Sequence, residues 1–94
     1  MYVILRSDIA GVFYGRLLKD TRPGYYRLAD CRKVWSWEGA NHVEGLALVG
    51  PELTGSQITG PTRQDVRVGD GDQLIRGVTA AARERFDRVP AWLK

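Results

Sequence analysis

The chain is poor in the residues from which catalytic and metal sites are most often built, with one cysteine, one histidine and one methionine among 94 residues. A single Cys31 excludes an intrachain disulfide framework and points to a reducing cytoplasm. With no defining signature around either residue, Cys31 and His42 are a weak nucleophile and base pair, and a buried strand cysteine is the ordinary alternative. His42, Cys31 and the Asp70-Gly71-Asp72 turn follow no zinc or calcium spacing, so no metal and no cofactor is expected. Long apolar runs are missing too, none nearing the ~18 residues of a membrane span. Met1-Tyr2-Val3-Ile4-Leu5-Arg6 lacks the basic and longer apolar regions of an export signal and reads as a strand. Gly60-Pro61-Thr62-Arg63 lacks the glycine-lysine-serine/threonine ending of a phosphate loop and reads as a polar turn. With no reaction legible, the expectation is a binding protein and not an enzyme.

Arginine is what the chain does have. The net charge is only +3, but eleven of the fourteen cations are Arg, the side chain suited to planar, bidentate recognition of phosphate or carboxylate. That leans towards anionic partners, against the plain alternative of a solvated surface with scattered ion pairs. The length suits one domain, residues 1–94, near the size where folding buries only about two-thirds of the unfolded surface, so oligomerisation would help.

In chain order, residues 2–5 form a short strand, and residues 9–18 a second whose Gly11 and Gly15 suggest a bulge, strong curl or close backbone approach. A Pro23-Gly24 turn returns the chain through residues 25–29, completing a meander. Residues 31–37 alternate as a further strand, with Cys31, Lys33, Trp35 and Trp37 on one face and Arg32, Val34 and Ser36 on the other, so both tryptophans should share a face. Val43, Leu46, Ala47 and Gly50 then follow a helical period, with Asn41 as N-cap and Glu44 completing an approximate capping box. Residues 51–61 are mostly loop around a small strand at 57–59. Residues 64–68 and 73–78 flank a Gly-Asp turn and read as a second hairpin. Thr79 caps a helix over 80–88 that buries Ala82, Phe86 and Val89 and ends at Pro90.

Recognition chemistry concentrates in residues 30–42. A tryptophan can stack on a purine while Arg or Lys pairs its phosphates, which makes Arg32, Lys33, Trp35 and Trp37 candidate nucleotide contacts. Alternation puts Arg32 on the face opposite Lys33, so only some of the four can line one pocket, and at least one tryptophan belongs to the core. Asn41 offers a donor and an acceptor to an adenine edge or a ribose, or serves as the cap. Arg6, at the end of an apolar strand, fits a specific anionic partner or a plain strand-end charge.

Tyr2-Val3-Ile4-Leu5-Arg6-Ser7, Ala10-Gly11-Val12-Phe13-Tyr14-Gly15, residues 29–40 with their Trp-x-Trp-x-Gly-Ala core, Leu46-Ala47-Leu48 and the closing Val89-Pro90-Ala91-Trp92 resemble a family of small tailed-phage proteins. The pattern is also similar to the Thoeris anti-defence proteins, phage sponges that sequester cyclic ADP-ribose isomers and, in some members, cyclic oligonucleotides. This resemblance implies a homo-oligomer with pockets between protomers that hold the signal without cleaving it. It carries Arg6 and Asn41 over as ligand contacts; residues 52–65 depart from it, which leaves the ligand's identity and any part for Arg63 or Arg67 open.

The expected architecture is α+β, a curled, barrel-like antiparallel sheet with a short helix after the tryptophan motif and a C-terminal helix. The expected function is sequestration of a host signalling nucleotide in the cytoplasm of an infected bacterium, with no membrane partner. Two alternatives are a small nucleic-acid-binding protein and a phage structural or host-inhibiting module anchored by Trp37 and Trp92.

Overall fold

Alternating apolar residues set the first three strands. Val3 and Leu5 point to one face of the sheet and Ile4 to the other, and all three are buried, so β1 (Tyr2–Ser7) is covered on both sides. The computed structural model describes residues 1–7, 10–18, 23–40, 42–67, 69 and 71–92. After β1 come β2 (Gly11–Leu17), β3 (Tyr25–Ser36), α1 (Val43–Val49), β4 (Gln57–Ile58), β5 (Thr62–Arg67), β6 (Gln73–Ile75) and α2 (Ala80–Arg88). The result is the expected α+β architecture, with six antiparallel strands in the order β4-β3-β2-β1-β6 and β5 also paired to β3.

The residues read as two strands on either side of Asp30 form one strand of 12 residues, β3. Tyr14 pairs with Arg32 and Arg16 with Ala29, so β3 carries an extra residue opposite Gly15. Asp30 takes a φ of 50°, the left-handed region that relieves the surplus. Gly15 is the matching accommodation, because a Cβ there would lie 3.0 Å from the Cys31 Cα and 3.2 Å from the Ala29 carbonyl oxygen.

The sheet curls without closing. Strands β1 and β5 are not neighbours in it, yet Ser7 Oγ donates to the Arg67 carbonyl at 3.3 Å. Val66 of β5 packs in one cluster with Val3, Leu5, Phe13, Leu28 and Cys31. On the other face Ile4, Tyr14 and Val34 meet Leu46 and Ala47 of α1 and Phe86 of α2. Burying a side chain of this size contributes roughly 1.5–3 kcal/mol, so these two clusters hold the curl and seat the helices.

Three expectations need correction. The second hairpin does not form: β5 pairs with β3 and β6 with β1, so each finds its partner elsewhere in the sheet. The N-cap of α1 is His42, not Asn41; its Nδ1 accepts the Gly45 N–H at 3.0 Å, and Glu44 then falls one residue short of a capping box. Asn41 itself lies outside the described residues. The third concerns the tryptophans. Strand pairing ends at Ser36 after a register shift against β4, and Trp37 packs on the helix-side cluster while Trp35 does not. The Thr79 cap of α2 is as expected: its Oγ accepts the Ala82 N–H at 3.1 Å and donates to the Leu48 carbonyl at 2.7 Å, tying the helices together.

Candidate functional site

Lys33 leaves the sheet on the same face as Cys31, but nearer the end where β2 begins. Its main chain is fixed on both sides, donating to Thr59 Oγ at 2.8 Å and accepting from the Thr59 N–H at 3.0 Å. The ammonium lies 4.3 Å from the centre of the Trp35 ring and 5.6 Å from that of Phe13. Gly11 makes this placement possible, because its φ of 109° suits glycine and a Cβ would stand 3.2 Å from Lys33 Cε.

Trp35 is 56% exposed, an unusual state for so large an apolar ring. Trp37 is half-buried and donates from Nε1 to the Ala40 carbonyl at 2.9 Å. Between them lies a groove of about 390 Å³, lined by Ser7, Gly11, Val12, Lys33, Trp35 and Trp37 among others. That volume is within the range of small-molecule sites. A flat indole beside an ammonium offers stacking and charge at one place, as a nucleotide needs.

Arg6 lies at the same end of the sheet but is not among the residues that line this groove. It pairs across the sheet with Val12, one of the lining residues, and with Gln73. Its charge reaches the first turn of α1, where the Glu44 carboxyl is held below its usual range, first by a hydrogen bond from Gln73 and in smaller part by His42 and Arg6. The strand end therefore brings Arg6, Lys33, Trp35 and Trp37 to one end of the sheet, near the start of α1.

Arg32 is the exception. Only 5% exposed, it donates from Nε to the Thr59 carbonyl at 2.6 Å and from Nη2 to those of Val89 at 2.7 Å and Ile58 at 3.5 Å. Nη1 donates to the Phe86 carbonyl. Phe86 belongs to the last turn of α2, where carbonyls lack helical partners and a cation suits the dipole. Burial lowers the basicity of Arg32 and the nearby Asp87 opposes that shift. With its donors taken up by carbonyls, Arg32 acts as a rivet between β4 and α2 and is withdrawn as a ligand contact.

The imagined Cys31 and His42 pair does not assemble. Cys31 is fully buried in the cluster without helices, where burial pushes its thiol up to about 12, while His42 caps α1 on the other face. Among the described residues no group of three or more His, Cys, Asp or Glu is placed to hold a metal ion. No helix of the described residues is long and apolar enough to cross a membrane.

Two features escaped the sequence reading. Tyr2, Tyr14 and Phe86 stack in succession, with centroids 5.4 and 4.1 Å apart, and Tyr14 donates to Asp87 Oδ1 at 3.3 Å. Desolvation, with the Asp87 charge, pushes the Tyr14 hydroxyl well above its usual range. The other is the contact of Trp92, expected only as an anchor, with Trp35: the rings lie 6.1 Å apart at an angle of 70°. The elements that carry these residues were visible in sequence but their contacts were not, since each joins positions far apart in the chain.

No curated protein and no solved structure matches the chain. A family model matches residues 1–84, most of the chain, and the protein belongs to that family, described as a domain of unknown function, DUF6948.

Proposed function

We propose that the protein is a sponge for a small signalling nucleotide, which it binds in the strand-end groove and holds intact. The observation that carries the reading is the exposed Trp35 ring with the Lys33 ammonium 4.3 Å from its centre, on the wall of a groove of about 390 Å³. The base stacks on the indole, Lys33 and Arg6 take the phosphates, and Asn41 reads a base edge or ribose. Cyclic ADP-ribose isomers and cyclic oligonucleotides are the ligand classes, the host cytoplasm is the setting, and assembly into a homo-oligomer completes the pockets. The resemblance to phage anti-defence proteins supports this choice of ligand.

The test is incubation with cyclic ADP-ribose isomers and cyclic di- and trinucleotides, removal of free ligand, and recovery after heat denaturation. Intact ligand in the recovered fraction supports the sponge; none retained, or cleavage products, sinks it. A second reading, binding of nucleic acid, is favoured by the exposure of Trp35 with the half-buried Lys33 beside it. It would show as affinity for oligonucleotides that falls steeply as salt rises.

A further inference from the structure

The position of Trp92 follows from Arg32. The guanidinium holds the carbonyls of Phe86 and Val89 at the end of α2, and those of Ile58 and Thr59 around β4, so the C-terminal segment cannot drift from that edge. The Trp92 N–H then donates to the Ile58 carbonyl at 2.8 Å, one more backbone bond on the same edge. From there its indole meets Trp35 edge-on, with centroids 6.1 Å apart, in the geometry aromatic pairs prefer.

Trp35 needs such a neighbour. It lies next to the last residue of β3, Ser36, and is more than half exposed, so its own strand does little to fix its rotamer. Lys33 is on a flexible stem and can leave the ring for an anion. The edge-on contact with Trp92 remains when it does.

We propose that Trp92 is a positioning residue of the groove: it fixes Trp35 as a rigid stacking surface, so that the groove selects ligands carrying a planar base over those offering phosphate alone. The selection rests on the sponge reading; the positioning of Trp35 does not. A preset ring loses less freedom on binding, and that saving goes only to ligands that stack.

Two measurements separate the parts. The chain has three tryptophans, so the pairs Trp37→Phe/Trp92→Ala and Trp37→Phe/Trp92→Phe each leave Trp35 as the sole indole. Acrylamide quenching of Trp35 is expected to be about twofold faster with Trp92→Ala than with Trp92→Phe, which keeps an aromatic contact. Equal quenching overturns the positioning role. In the wild-type background, Trp92→Ala is expected to weaken retention of cyclic ADP-ribose by about threefold to tenfold, with Trp92→Phe closer to wild type and pyrophosphate binding unchanged in both. Wild-type retention by Trp92→Ala, or an equal loss for pyrophosphate, overturns the selection while leaving the sponge standing. A wild-type chain that retains no cyclic ADP-ribose or other signalling nucleotide sinks the sponge and the selection together, and the quenching comparison still judges the positioning.

Discussion

Arg32 and Lys33 are adjacent, equally charged and opposite in what they do, because one residue of strand reverses the face. Lys33 reaches the groove and lies beside Trp35, whereas Arg32 turns inward to four main-chain carbonyls. Replacing it by a side chain of similar length without donors, Arg32→Met, leaves those carbonyls unpaired. A loss of about 2–4 kcal/mol in the free energy of urea unfolding is expected, since each buried group left unmet costs about 1–3 kcal/mol. Unchanged stability would return Arg32 to the list of ligand contacts. Cys31 offers a second check. Its thiol is pushed up to about 12 by burial, so it stays neutral in the folded protein where the unfolded chain ionises near pH 9. Across that window the unfolded state binds fewer protons, and stability falls as pH rises, by up to about 1.4 kcal/mol per pH unit. Below pH 9 the contribution is fully present. Comparison of urea midpoints at pH 8 and 10 is expected to show a shallower alkaline loss for Cys31→Ala than for wild type; equal slopes contradict the buried thiol. The alternation of residues 31–35 was readable in sequence, and with it the separation of Arg32 from Lys33. What the cation on the far face would touch was not, since its partners lie in β4 and α2, 26 to 57 positions away.

Among the elements, β3 shows why local pattern was enough for strands and helices but not for their connections. Asp30 looked like a break between two strands because a polar residue interrupted two apolar runs, and it is instead an extra residue within one. Gly15 and Asp30 solve one problem from two strands, and only the glycine was noticed as a bulge signal. At φ 50° a residue with a side chain is strained by roughly 1 kcal/mol, and the Arg16–Asp30 ion pair, at 3.7 Å and half exposed, offsets little of that. Asp30→Gly is therefore expected to leave thermal stability equal or higher, and Asp30→Val to lower it by more than 1 kcal/mol, about the size of the strain. A destabilised Asp30→Gly together with a tolerated Asp30→Val would mean that the side chain and not the backbone matters at the bulge. The cap of α2 was legible because Thr79 is a strong N-cap type directly before an apolar period, whereas His42 as a cap was not, since Asn41 beside it is the more common choice. The supposed second hairpin failed for a tertiary reason: β5 and β6 find partners in β3 and β1, and no local signal in the turn between them encodes that choice.

For the molecule as a whole, the curl decides which side chains stand along the strand-end groove. It buries one face of the sheet on itself and the other beneath the helices, and where β1 ends and β2 begins it leaves Lys33, Trp35 and Trp37 along one groove, while most of the exposed arginines lie elsewhere on the surface. Trp37 closes the helix side of that end, Trp35 stays open, and Trp92 arrives from the C-terminal segment beside it. The most direct measurement is mass spectrometry of what the purified protein releases on heating after exposure to cyclic ADP-ribose isomers and cyclic oligonucleotides. One intact ligand is expected to be recovered from the wild type, and markedly less from Trp35→Ala and Arg6→Ala variants that melt at the same temperature. No ligand from the wild type, cleaved ligand, or equal recovery from all three proteins would contradict a nucleotide sponge built on this groove.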